Sequence, residues 1–161
     1  MRLMHLPALA TLLLLTAAGA PAAPPLTEAE VRAFMGTVEF AARARDVQRL
    51  AGTLAADCRI ELRTQIGGQE RVTLMTRDEY VEMLSNGYAS LKQLESYDYE
   101  VTGQAITLEH DAPAATVVSQ VTETLVFAAR RLVTHSEETS RVERRGGQLV
   151  IVAVSALTHG G

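Results

Sequence analysis

The last third of the chain, from Ser96 to Leu157, alternates apolar and polar positions almost without interruption. Side chains of a strand point to opposite faces with period two, so this pattern predicts strands that bury one face. Four fit: Ser96–Leu108, Ala115–Arg130, Arg131–Glu143 and Gln148–Leu157. Turn signals separate them at Glu109-His110-Asp111-Ala112-Pro113, near Ala129-Arg130, and at Arg144-Arg145-Gly146-Gly147. Such strands are longer than the usual length of about five or six residues. Joined by short links they make an antiparallel meander, and their length implies strong curvature around something.

Upstream the period changes. Thr27 opens a helix with a Thr-x-x-Glu capping box closed by Glu30. Val31, Phe34, Met35, Val38, Ala41 and Ala42 form its apolar stripe, which places Arg43, Arg45 and Arg49 on a solvated face. Asp46 caps a shorter helix with Val47, Leu50 and Leu54 inward. Cys58 to Ile66 then alternates, Gly67-Gly68 turns, and Gln69 to Leu74 returns as a hairpin. Thr76 and Glu79 repeat the capping box and start a third helix, with Tyr80, Leu84, Tyr88 and Leu91 on one face. Asn86-Gly87 is a weak point inside it.

Composition narrows the class. The chain of 161 residues is long enough for one domain, and its 47% apolar fraction with no Trp makes an aliphatic core. Arg2, the apolar run Leu6–Leu15 and Ala20-Pro21-Ala22 before Ala23 have the pattern of a cleaved signal peptide. The division is then a signal segment at 1–22, one domain at 23–157 and a flexible tail at 158–161, in an exported protein, periplasmic or secreted. The apolar run is too short for a permanent membrane span. Losing Arg2 takes the formal net charge from −4 to −5, and Lys92 is the sole lysine. A mildly acidic chain without a basic stripe argues against nucleic acid as partner. Cys58, the single cysteine, reads as a buried structural thiol.

The order of two helices, a small hairpin, a third helix and a long meander resembles the nuclear-transport-factor-2-like superfamily, which includes SnoaL-like cyclases and ketosteroid isomerases. The most telling stretch is Arg45-Asp46-Val47-Gln48-Arg49-Leu50 followed by Leu54-Ala55-Ala56-Asp57-Cys58-Arg59-Ile60. It is similar to the family's short second helix, the Asp that ends it and the first strand. The resemblance implies an α+β, cone-like roll: N-terminal helices packed in a strongly curved antiparallel sheet, with a pocket at the open end. The steroid-isomerase machinery does not carry over. Its catalytic tyrosine falls at Val38 and its general base at Leu62; only the acid of its oxyanion hole finds a counterpart, at Glu138.

Alternation also says which side chains meet inside the cone. With Val142 inward, Leu132, Thr134, Ser136, Glu138 and Ser140 share its face. A hairpin folding between Ala129 and Arg130 sets Phe127 opposite Leu132, Glu123 opposite Ser136 and Val121 opposite Glu138. Glu123 and Glu138 are then diagonal neighbours, roughly 7–8 Å apart at the backbone. Two carboxylates in a partly apolar pocket repel, so one would hold its proton near neutral pH, as an acid–base pair does. Alternatively both sit at the wet mouth or pair with an arginine such as Arg63. The pocket is expected to draw on Phe34, Val38, Leu62, Tyr97, Tyr99, Ser119 and Ser136. His135-Ser136-Glu137 and Glu109-His110-Asp111 place no third ligand for a metal, and no cofactor motif is present.

On the convex side, Val118, Val126 and Val133, with Val150, Val152 and Val154, predict an apolar stripe and hence a homodimer packed sheet to sheet. Three function classes remain: a non-catalytic module binding a small apolar ligand or a protein, a lyase, isomerase or hydrolase using Glu123 and Glu138, and a structural subunit with a filled cone.

Overall fold

The computed structural model describes residues 24–91, 94–128 and 130–160; the expected signal segment and Lys92 lie outside the described residues. Helix α1 (Glu28–Arg43) and the short helix α2 (Val47–Thr53) precede strands β1 (Leu54–Ile66) and β2 (Gln69–Thr76). Helix α3 (Arg77–Ser90) leads into β3 (Ser96–Leu108), β4 (Ala114–Phe127), β5 (Arg130–Arg145) and β6 (Gln148–Gly160). The six strands form one curved, unclosed sheet in the order β2-β1-β6-β5-β4-β3. From β3 to β6 it is the expected antiparallel meander. At β1 it is not: β1 pairs parallel with β6, so the sheet is mixed.

Both expected capping boxes form. Thr27 Oγ1 accepts from the Glu30 N–H, and Glu30 Oε2 accepts from the Thr27 N–H at 2.9 Å. The box extends to β5, because Arg144 Nη2 donates to Glu30 Oε1 at 2.7 Å and holds that carboxyl down at about 2. Thr76 and Glu79 cap α3 in the same way. Asn86-Gly87 does not end that helix, which continues to Ser90. Gly67 (φ 58°) and Gly68 (φ 79°), like Gly146 (φ 58°) and Gly147 (φ 84°), take the left-handed conformations that two-residue hairpin turns require.

Three local features depart from simple alternation. Phe127 pairs directly with Arg130, with Ala128 at φ 37°, so the β4–β5 turn is two residues tighter than expected. A shift of two keeps every side chain on its face but changes every neighbour. A bulge between Val101 and Gly103 shifts the register of β3, and another between Ile151 and Ala153 shifts that of β6. An extra residue reverses the alternation beyond it. Val154 therefore turns inward, against the expectation of a continuous convex valine stripe, and Ala153 takes the outer face. Strand β6 also runs on to Gly160, with His159 paired to His135, where a flexible tail was expected.

The core lies between α1 and the concave face. Val31, Val117 and Val142 are 0% exposed and Ile60 1%. Cys58 belongs to this core; burial pushes its thiol up to about 11, which leaves it unreactive.

Candidate active site at the mouth of the cone

Pairing across the sheet arranges the concave face in rows. The row through Ile60, Val154, Ser140, Val117 and Ile106 is mainly apolar. One step toward the mouth, Leu62, Ala156, Glu138, Ser119 and Gln104 line up, and Gln104 Nε2 donates to Ser119 Oγ at 3.4 Å. Next come Thr64, Thr158, Ser136, Val121 and Val101. After these comes the row holding Thr134, Glu123 and Tyr99. Polarity therefore rises toward the opening.

Glu138 and Glu123 share the concave face but stand two rows apart, about 13 Å along the strands at 3.3 Å per residue. They are not the diagonal neighbours that the looser turn implied. The correction follows from the register: Glu138 lies opposite Ser119 and Glu123 opposite Thr134. Arg63 is engaged by Glu70 at 2.5 Å and partners neither of them.

A cavity opens beside Glu138, with about 60 Å³ of space for water-sized contents. A buried water needs roughly 10–15 Å³ by this measure, so the space holds a few waters or a compact ligand. Its wall is mostly aliphatic, with Met35 and Val38 from α1, Leu50 from α2 and Ile151 and Val154 from β6. The polar groups are Glu138, Ser119, Ser140, Gln104, Thr53 and Glu39, with the hydroxyl-bearing rings of Tyr80 and Tyr99. No Lys, Arg or His is among the lining residues.

Glu138 is half-buried and, among the described residues, neither ion-paired nor hydrogen-bonded through its side chain. Burial first, and the Glu123 charge second, push its carboxyl up to about 7. The four tyrosines of the chain, Tyr80, Tyr88, Tyr97 and Tyr99, gather at this end. Burial, reinforced by Glu123 and, for all but Tyr97, by Glu138, moves each hydroxyl above its ordinary value. At the rim, Tyr97 Oη donates to Glu123 Oε1 at 2.7 Å, the Tyr97 ring meets that of Tyr88 edge-on at 6.3 Å, and the Arg45 guanidinium lies 5.4 Å above its centre. Arg43 Nε donates to the Tyr99 carbonyl at 2.8 Å. Arg43 and Arg45 are exposed, as expected of a solvated face, and from there they also tie the end of α1 to the rim.

Of the residues singled out in the sequence, Glu138, Val38, Tyr99 and Ser119 line the cavity. Tyr97 and Glu123 meet at the rim, and Ser136 lies one row outward of Glu138. Phe34 and Leu62 pack against the core instead, and Leu62 also borders a separate outer groove with Met75 and Met83. Tyr80, Gln104, Ser140, Thr53 and Glu39 went unrecognised. Tyr80 carried a signal, a hydroxyl on the apolar face of α3. Gln104 carried none without the β3 bulge, which turns it inward. Among the described residues no group of three or more His, Cys, Asp or Glu could hold a metal.

A curved sheet wrapped over three helices, with polar groups at its open end, defines a nuclear-transport-factor-2-like cone, and the chain has this fold. No protein-family model matches the sequence, and no curated protein does. Solved structures do. An NTF2-like protein from Cytophaga hutchinsonii superposes with a TM-score of 0.60 at 14% identity, covering 82% of this chain and 98% of its own. A candidate scytalone dehydratase from Novosphingobium aromaticivorans gives 0.61 at 14% identity, covering 81% and 82%. The structure of LinA gives 0.60 at 17% identity, covering 81% and 84%. At such identities the likeness is one of fold.

Proposed function

We propose that the chain is an exported small-ligand-binding module whose cone takes a compact, mostly apolar molecule, with Glu138 as its polar anchor. The observation that carries this reading is the make-up of the cavity: an aliphatic wall closing on Glu138, a carboxylate that no cation of the lining offsets. Pockets of this kind, apolar with a few convergent polar groups, are the usual form of small-molecule sites. A fragment screen followed by methyl NMR tests it. Compounds of a few heavy atoms should move the signals of Val38, Ile151 and Val154 while leaving Val72 on the outer hairpin unmoved. A screen in which nothing reaches those methyls would leave a filled, structural cone.

A second reading is a proton-transfer enzyme of the lyase or isomerase type. It is favoured by a carboxyl held near 7, the range a general acid or base needs at neutral pH. A candidate scytalone dehydratase sharing the fold is consistent with it. In that case Glu138→Gln abolishes turnover and leaves the fold intact, whereas in a simple binder it changes affinity alone. Export and a homodimer through the convex face belong to the same proposal. Val118, Val126, Val133, Val150 and Val152, all half-buried in the single chain, support the dimer. Sedimentation as a monomer at high micromolar concentration would remove it.

A further inference from the structure

The nature of the ligand's polar group can be read from what Glu138 lacks, given the binding function proposed above. A carboxylate partly withdrawn from water ordinarily has a cation or several donors against it. Glu138 has neither among the described residues. It does have rings beside it: Tyr80 and Tyr99 line the same cavity. The rim shows how the protein completes such a group. There Glu123 accepts from the Tyr97 hydroxyl, and the Arg45 guanidinium sits over the Tyr97 ring at 5.4 Å. Carboxylate, tyrosine and cation form a set. Two rows deeper the first two are present, as Glu138 with Tyr80 and Tyr99, and the lining supplies no cation.

We infer that the ligand supplies it: the cavity is a site for a small organic cation, an alkylammonium group, with its charge against Glu138 and its carbon substituents against the tyrosine rings and the aliphatic wall. Ring faces attract such cations, most strongly where water is excluded. The available space sets the size at a handful of heavy atoms. Glu39 adds a second carboxylate at the edge, held by Arg43 at 2.8 Å. An anionic ligand would meet two carboxylates and no donor stronger than Gln104, Thr53 and the hydroxyls of Ser and Tyr.

Binding should depend on pH. The titratable groups facing Glu138 are Glu39 from α1, Tyr80 and Tyr88 from α3, Tyr99 from β3 and Glu123 from β4. The tyrosine hydroxyls are pushed upward and stay protonated near neutrality, so Glu138 is the group whose charge changes there. A cation draws that proton off, and its affinity rises as Glu138 ionises.

Calorimetry of the full protein with tetramethylammonium, which does not titrate, and with tert-butyl alcohol, its neutral counterpart in shape, tests the inference. The expected result is that tetramethylammonium binds wild type and weakens about tenfold as pH falls from 8 to 6, following the ionised fraction of Glu138. Glu138→Gln weakens it about tenfold or more and leaves the alcohol unchanged. The inference is overturned if the alcohol binds wild type as tightly as the cation, or if neither pH nor Glu138→Gln alters cation binding. The ligand-binding function then still stands. If neither probe binds while the fragment screen finds neutral compounds in the cavity, the cation alone is ruled out. Silence in both experiments removes the binding function as well.

Discussion

At the sealed end of the cone, Val117 on β4, Val142 on β5 and Ile60 on β1 meet Val31 of α1, and none is more than 1% exposed. A few residues along the same strands and on the same face, Glu138 and Glu123 stand among tyrosines, half-buried and without a basic partner in the cavity. The alternation of side chains is identical in both regions; the chemistry placed on it is not. At the sealed end, Ser140 and Cys58 apart, the inward positions are aliphatic groups whose burial stabilises the fold. At the mouth, Ser119, Ser136, Glu123 and Glu138 occupy positions that a core would fill with valine, and the half-buried Glu138 has no charged partner among the described residues. Sequences break their own packing rules in this way where function requires it. The difference separates the part of the chain that folds the cone from the part that would serve the proposed binding.

Cutting into the sealed end should have the largest effect. Ile60→Ala removes a side chain from the tightest row and should lower the free energy of unfolding by about 2–5 kcal/mol, read as a drop in urea midpoint at unchanged slope. A loss well below that range would mean the wall collapses onto the gap and that the two ends are packed alike.

At the mouth the sign should reverse. Glu138 has a folded-state value near 7 against 4.5 when unfolded, so the folded form holds the proton more tightly. Its contribution is favourable below 4.5 and is lost as pH rises through about 7, reaching a penalty of roughly 3 kcal/mol or less by pH 8. Glu138→Gln should therefore be more stable than wild type at pH 8 and similar to it at pH 4. Urea midpoints for both proteins at the two pH values decide this; equal pH profiles would show the carboxyl to be solvated in the folded state.

At the rim the effect is smallest. Tyr97→Phe removes the hydroxyl that bonds Glu123 and should cost about 1 kcal/mol. Its ring still packs on Tyr88, so a thermal shift much larger than that would mean the rim helps to hold the fold itself.

What the sequence disclosed follows the same division. Capping boxes at Thr27 and Thr76, the Asp46 cap and the paired-glycine turns are local, each specified within four residues, and each forms where the residues call for it. The limits of β3 were likewise legible, because alternation on a half-buried strand is a strong signal. Register was not. It depends on whether the β4–β5 turn takes two residues or four and on two bulges, and no local propensity distinguishes these. Hence Glu123 and Glu138 were placed on the right face with the wrong neighbours, and Val154 on the wrong face. The cavity suffered most, since its lining comes from eight elements and a two-residue slip in one of them replaces what Glu138 meets.

The parallel pairing of β1 with β6 joins the first strand of the chain to the last. Pairings this distant in sequence close a long loop before they return any stabilisation, and they slow folding accordingly. During synthesis the β1–β2 hairpin is made early with one edge unpaired, and Arg144, which completes the cap of α1 through Glu30, arrives late as well. The sheet therefore stays incomplete until β6 has been made and has paired with β1. Truncation after Gly147 would leave the facing edges of β1 and β5 open together, the kind of exposed strand pair from which aggregation starts.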